Sequence, residues 1–431
     1  MNSKTIIYQV LPRLWGDGTF ASWNEAAFDY LHSLSVDCIW YTGIPRHASG
    51  KDFVKGNPGC PYAVSDWYDV NPYLAAEGSR RMEEFEKLVA RTHAAGFKCI
   101  IDFIPNHVAC DYKGKLALYG WHDGDWTDTI KVDWANPATL REMQKILRFW
   151  ASKGVDGFRC DMVELVPAEA LGEVISAVRN DYPGLTFVAE VYGRENYSTY
   201  LDVAGFDLLY DKSGSYDILR GIIAGERPAC ELSWNWQFLA DRQPRMLNFL
   251  ENHDEQRIAS PWFAGSPQKA WAALAHSMLF NTASFMLYAG QEVGEDAAEG
   301  YEGRTSIFDW CHPAGLGQLG SYIATGKGLS RERRSTLKRY RELCQMAASP
   351  LFRNGGNWDL CYCQEDFDAE ELFAFARYDR EKAAVVLCNF SGGQQEVQLL
   401  IPTLLKSTAG LKCDEATLKA APYDFSLVYI K

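Results

Sequence analysis

Apolar residues along this chain fall into two alternating patterns. Short continuous runs occupy residues 5–10, 37–42, 98–103, 155–160, 185–190, 206–210, 246–251 and 284–289. Between runs the apolar positions recur at helical spacing. Met82, Phe85, Leu88 and Val89 precede the third run, and Leu140, Met143, Ile146, Leu147 and Trp150 precede the fourth. A strand covered on both faces reads as an unbroken apolar run, whereas an amphipathic helix repeats every three to four residues. Strand alternating with helix predicts a parallel sheet of the α/β class. Eight such units over about 350 residues predict a closed (β/α)8 TIM barrel.

Three connections are longer than the repeat needs. Residues 43–72, rich in Pro and Gly, follow the second run. Residues 108–137, rich in Gly, Asp and Trp, follow the third, and 290–330 follow the eighth. Each lies after a strand's C-terminal end, where barrel enzymes place their chemistry. Beyond a helical stretch over 331–348 the pattern changes to short strands at 372–377, 383–389, 395–400 and 425–430, with no helical period. The expected organisation is a catalytic barrel over 1–351, including a short insertion at 108–137, and a C-terminal antiparallel β-sandwich over 352–431.

Charge removes some functions. Lys and Arg total 43 against 56 acids, a net of −13, and the chain has no long basic run of the kind a phosphate-neutralising face would draw on, so nucleic acid is not an expected partner. No run approaches the ~18 apolar residues of a membrane helix. The apolar stretch before Arg13 is too short for a signal-peptide core, so a cytoplasmic chain that meets no membrane is expected. The 12 Cys contain no C-x-x-C pair, which excludes the usual zinc spacings. Cys38, Cys99, Cys160 and Cys388 sit inside apolar runs and read as buried, reduced thiols. An acidic chain with 14 Trp, 22 Tyr and 22 Phe suits a neutral substrate such as a sugar, although most of these rings belong to the core.

The ends of the runs carry the candidate chemistry. The third leads into Asp102-Phe103-Ile104-Pro105-Asn106-His107, and the fourth ends Gly157-Phe158-Arg159-Cys160-Asp161. The fifth ends Ala189-Glu190, and the seventh leads into Glu251-Asn252-His253-Asp254. Asp161, Glu190 and Asp254 therefore converge at one barrel mouth with Arg159, His107 and His253. Paired carboxylates there suit glycosidic chemistry: one attacks the anomeric carbon, one protonates the leaving oxygen, and negative charge favours an oxocarbenium-like transition state. A single strand-end acid could equally cap the next helix; the convergence argues for chemistry.

These segments resemble the glycoside hydrolase family of α-amylases and α-glucosidases. Asp102-x-x-x-Asn106-His107, Gly157-Phe158-Arg159-x-Asp161, Ala189-Glu190-Val191 and Asn252-His253-Asp254 look like its four signatures, in order. Ile7-Tyr8-Gln9-Val10, Pro61-Tyr62 and Gly290-Gln291-Glu292 are further echoes. The resemblance implies a retaining hydrolase of α-glucosidic, chiefly α-1,4, bonds in maltodextrin-like oligosaccharides. It implies Asp161 as nucleophile, Glu190 as general acid and then base, and Asp254 as a sugar-binding acid. Arg159 would keep Asp161 ionised. His107 and His253 would donate hydrogen bonds to sugar hydroxyls, and Tyr62 would form a stacking platform. A transglycosylase or sugar isomerase of the same family, and a non-catalytic binding member, are the alternatives.

The departures from the family pattern bear on specificity. Many α-amylases carry a Lys-His pair three and four residues after the nucleophile; Glu164 and Leu165 stand there. Many exo-acting α-glucosidases carry an Asp three residues before the stacking Tyr; Gly59 stands there. The short insertion suggests a more open cleft. No cofactor or metal is expected. The alternative is the family's structural calcium, which the resemblance would place at Asn106, an insertion Asp and a His. Aligning Asp133-Trp134 with the family's acidic-aromatic pair puts Lys131 at that Asp and Leu165 at the His. Asp128 or Asp133 are the remaining possible ligands.

Overall fold

The computed structural model describes residues 4–122 and 124–431. Residues 1–3, read above within the N-terminal stretch, and Asp123, read within the insertion, lie outside them. Eight parallel strands form the central element: β1 (Ile6–Val10), β2 (Cys38–Tyr41), β3 (Lys98–Phe103), β4 (Gly157–Cys160), β5 (Thr186–Ala189), β6 (Leu208–Tyr210), β7 (Met246–Phe249) and β8 (Ser284–Tyr288). Each pairs with its sequence neighbour, and β1 pairs with β8 to close the barrel. Every one of the eight apolar runs is a barrel strand.

The strands are buried on both sides, which explains their unbroken hydrophobicity. Ile7, Trp40, Ile100, Val188, Leu247 and Met286 meet inside the barrel. Their neighbours Ile6, Ile39, Ile101 and Phe187 face the helices. Helix Arg81–Ala94 buries Phe85, Leu88 and Val89, and helix Pro137–Ser152 buries Met143, Ile146, Leu147 and Trp150. The second starts at Asn136, whose side chain accepts from the Ala138 N–H (3.0 Å), with Pro137 at its first position; both are favoured helix-start residues.

Residues after β2 fold into the hairpin Pro45–His47 with Val64–Val70. The insertion after β3 folds into His107–Ala109 with Thr129–Lys131. The C-terminal region holds an antiparallel four-stranded sheet of β9 (Gly356–Asp359), β10 (Leu372–Tyr378), β11 (Ala383–Asn389) and β14 (Phe425–Ile430). A two-stranded sheet pairs β12 (Gln395–Leu400) with β13 (Glu415–Ala420). Alternate residues of β10 and β11 divide between two layers. Phe373, Phe375 and Val386 pack toward the barrel, whereas Leu372, Ala374 and Val385 pack with Leu399, Leu405 and Leu418.

Three elements here differ from the expected pattern. Strand β13 buries only alternate residues, Ala416, Leu418 and Ala420, and two alanines give little hydrophobic signal. Strand β9 is half-buried along most of its length. Helix Thr403–Ala409 corrects the expectation of no helix beyond 352: it buries only Leu405 and Ala409, too few to show a period. Among the described residues no helix is long and apolar enough to cross a membrane. All 12 cysteines are free, and Cys38, Cys99, Cys160 and Cys388 are buried.

Candidate active site

At the C-terminal mouth of the barrel lies a cavity of about 970 Å³. Tyr62, His107, Asp161, Glu190, His253 and Asp254 all line it. Arg159 lies beneath them, with no exposed surface. The structure thus brings together all seven site residues expected from sequence.

Arg159 organises the floor. Its Nη1 donates to Asp161 Oδ1, and its Nη2 stands at ion-pair distance, 2.7 Å, from Glu190 Oε1. Glu190 also accepts the Tyr192 hydroxyl on Oε1 (2.9 Å) and the Met162 N–H on Oε2 (2.9 Å). Met162 can present that N–H because it adopts left-handed backbone, φ 47°. Such a conformation is strained in a residue other than glycine and recurs at functional sites. Asp254 is set by a turn in which Asn252 Oδ1 accepts its N–H (2.8 Å).

The three carboxyls all titrate above their ordinary range. For Asp161, burial raises the pKa and outweighs the opposing charge of Arg159. For Glu190, burial comes first, Arg159 opposes it, and Asp161 reinforces it. Asp254 is pushed up to about 8 by desolvation and by Glu190, although its side chain keeps 32% of its surface open to the cleft. Burial therefore precedes like charge in raising Glu190, and Arg159 does not bring Asp161 below the usual carboxylate value.

His253 is held neutral by burial and by the charges of Arg159 and Arg304. Gln9 Nε2 lies 2.7 Å from its Nδ1, and its Nε2 lies 3.1 Å from Asp254 Oδ2. With Gln9 donating to Nδ1, the imidazole proton sits on Nε2 and points to Asp254, a tautomer assigned from its partners. Tyr62 is less open than a platform requires. It is 8% exposed, its ring stacks on His253 at 5.0 Å and 15°, and its hydroxyl donates to Asp102 (3.2 Å). Asp102, pushed up to about 6 by burial, also accepts from Trp40 and the Gly43 N–H. It ties Tyr62 and the loop after β2 to the barrel.

Sequence reasoning missed several cleft residues. Tyr192, two residues after Glu190, lies on the same side of the chain and was accessible from that spacing. Lys55 and Lys212 carried no spacing signal. Lys55 pairs with buried Asp128 (3.5 Å), and Lys212 with Asp217 (2.7 Å) and Glu255 (3.3 Å). The short insertion does not leave the cleft unwalled. Residues 299–301 and 304–309, after β8, line it, and this segment is bonded to the loop after β2: Gly59 N–H to Phe308 O (3.0 Å) and Trp310 N–H to Asn57 O (2.6 Å). The loop after β2 itself explains Gly59. Its φ is +117°, and a Cβ there would stand 2.4 Å from the Ala48 carbonyl oxygen, so an Asp cannot occupy this backbone path.

Asp128 is paired with Lys55, Asp133 Oδ1 accepts the Ala135 N–H (3.0 Å), and Lys131 sits opposite His107 in the hairpin. Among the described residues no group of three or more His, Cys, Asp or Glu is placed to hold a metal.

Residues 25–116 and 121–196 match the family model of the alpha-amylase catalytic domain. Over these segments the chain is similar to the alpha-amylase catalytic domain. Alpha-amylase 3 of Dictyoglomus thermophilum is 24% identical over 354 residues, 71% of this chain and 67% of that protein. The amino acid transporter heavy chain SLC3A1 of Homo sapiens is 29% identical over 239 residues, 43% of this chain. That match spans a third, 33%, of the human protein's length. Among solved structures, the cyclic α-maltosyl-(1→6)-maltose hydrolase of Arthrobacter globiformis, in complex with that sugar, shares the fold. Its TM-score is 0.74 at 18% identity, covering 99% of this chain and 98% of that one.

Proposed function

We propose that this protein is a member of the alpha-amylase family and a retaining hydrolase of α-1,4 bonds in malto-oligosaccharides. One observation carries the reading: a single guanidinium, that of Arg159, engages both Asp161 and Glu190 and so holds the two carboxyls side by side. An inverting pair stands roughly 6.5–9.5 Å apart to admit a water between acid and base. A retaining pair stands closer, about 5–5.5 Å, so that one carboxyl attacks the anomeric carbon while the other protonates the leaving oxygen, and two carboxyls bridged by one guanidinium suit that arrangement.

In this mechanism Asp161 attacks and forms a covalent glycosyl ester while Glu190 gives its proton to the departing oxygen. Glu190 then takes a proton from the incoming water, which attacks the ester and releases the sugar with its anomeric configuration retained. The raised pKa of Glu190 keeps its proton available. Asp254 and His253 form one polar wall for sugar hydroxyls, His107 forms another, and Tyr62 backs His253 rather than offering a wide platform. The basic side chains at the wall are neutralised locally, Lys55 by Asp128, Lys212 by Asp217 and Glu255, and Arg304 by Glu302. Neutral sugars therefore suit the cleft better than anionic ones. A purely binding role, suggested by the likeness to a transporter heavy chain, would not need three assembled carboxyls with raised pKa values.

Incubation with maltoheptaose, with products followed by NMR from the first seconds, tests the proposal. The first product should be the α anomer. Asp161→Asn should lower kcat by at least about 10⁴-fold while the far-ultraviolet spectrum stays native. A β product, or substantial turnover by pure Asp161→Asn, removes Asp161 from the nucleophile role.

A further inference from the structure

Glu164 stands three residues after Asp161, in the short 3-10 turn Val163–Leu165. Its carboxylate is engaged by the segment after β5. Oε2 accepts the Tyr192 N–H (2.7 Å), while Oε1 accepts the Gly193 N–H (3.1 Å) and the Asn196 side-chain amide (2.7 Å). Bonds to an ionised acceptor are roughly twice as strong as neutral ones, and three donors converge here. The same segment carries the Tyr192 hydroxyl, which donates to Glu190 Oε1 (2.9 Å).

Gly193 permits this approach. A Cβ there would stand 2.8 Å from Glu164 Oε1 and 2.7 Å from Asn196 Nδ2. Its φ of −70° is open to any residue, so the glycine serves the close contact and not a special backbone conformation.

We infer that Glu164 is a positioning residue for the general acid: by clamping the Tyr192–Gly193 backbone it holds the Tyr192 hydroxyl on Glu190. This rests on the reading of Glu190 as the acid. The cation that many relatives carry at this position is thus replaced by a carboxylate that grips a loop. A donated hydroxyl favours the ionised form of Glu190 and so tempers the upward pull of burial. The groups facing Glu190 are Arg159 and Asp161 at the end of β4, Tyr192 on its own loop, Tyr210 on β6 and Asp254 after β7. Lys212 lies 5.8 Å from the Tyr192 ring. Glu164 itself bears on Tyr197 and Tyr200.

The test is a carboxyl carbon-13 NMR titration of glutamate-labelled protein, with the Glu190 signal assigned by its loss in Glu190→Gln. It compares wild type, Tyr192→Phe, Glu164→Gln, Gly193→Ala and the double variant Tyr192→Phe/Glu164→Gln. The Glu190 midpoint should rise by about one pH unit in Tyr192→Phe, the size expected for one hydrogen bond to a charged group. It should rise likewise in Glu164→Gln and Gly193→Ala, and no further in the double variant. A Glu190 midpoint that stays in place in folded Glu164→Gln and Gly193→Ala overturns the clamp. So does a Glu164→Gln shift that persists undiminished in the Tyr192→Phe background. The general-acid reading is tested apart from this, by the leaving-group dependence of Glu190→Gln. A moving midpoint with no such dependence keeps the clamp and discards the acid role.

Discussion

Arg159 has no exposed surface, and the rings of Trp40, Tyr62 and Tyr210 lie 5.3–5.5 Å from its guanidinium. Aromatic faces attract a cation most strongly where water is excluded. The side chain is therefore confined, and through it the spacing of Asp161 and Glu190 is fixed. Division of labour between these two carboxyls leads to a prediction about leaving groups. Glu190→Gln removes the proton that a poor leaving group needs, so turnover of maltoheptaose should fall on the order of 10²–10⁴-fold. Glycosylation by an activated aryl glycoside, whose phenolate departs without protonation, should fall far less. Equal losses on the two substrates would mean that Glu190 is not the acid. At this scale Asp161, Glu190, Asp254, His107, Arg159 and His253 stood out because each lies at or just beyond the end of an apolar run, whereas Tyr62 came only from the family resemblance of Pro61-Tyr62. It did not reveal the stacking of Tyr62 on His253 or the pairing of Lys55 with Asp128. Those contacts join distant segments and leave no local pattern.

Among the elements, the eight strands were legible because burial on both faces forces an unbroken apolar run. The short strand β13 and the helix Thr403–Ala409 were not, since one is half-buried and the other presents only two side chains to the core. The insertion hairpin illustrates how an element is held without an apolar period. Its strands pair through backbone bonds, the Val132 N–H reaches the Asn106 carbonyl (2.9 Å), and the Cys110 N–H reaches the Asp128 carbonyl (3.1 Å). Asp128 and Asp133, the acids left as possible calcium ligands, have local partners here, Lys55 and the Ala135 N–H. The expected outcome is that EGTA leaves melting temperature and maltoheptaose turnover unchanged, and that added calcium alters neither. A large fall in either quantity in EGTA, reversed by calcium, would show that this hairpin depends on the metal.

Over the whole molecule, the barrel and the C-terminal sheet share one apolar layer, and His276 lies in it. Helix Trp271–Leu279 is buried along its full length. The His276 ring stands 5.0 Å from Phe280 and 4.8 Å from Phe373 of β10. Neither ring nitrogen has a hydrogen-bond partner, and burial lowers its pKa from 6.5 to about 3. The folded state therefore holds this histidine neutral, whereas the unfolded chain protonates it near its ordinary value. Its favourable contribution is present above pH 6.5 and is lost as pH falls toward 3. Between pH 7 and pH 5 the loss amounts to about 2 kcal/mol. The buried acids act in the opposite sense: Asp102, Glu251 and Asp254, raised to about 6, 7 and 8, bind protons more readily when folded and favour the folded state as pH falls. The wild-type profile mixes both effects, so the informative quantity is the difference between wild type and His276→Leu. Leu fills a similar volume and has no unpaired nitrogens. In urea unfolding, the stability of His276→Leu relative to wild type should rise by about 2 kcal/mol on going from pH 7 to pH 5. A relative stability that does not change with pH would show that His276 gains a proton, or finds a partner, without unfolding the junction between barrel and sheet.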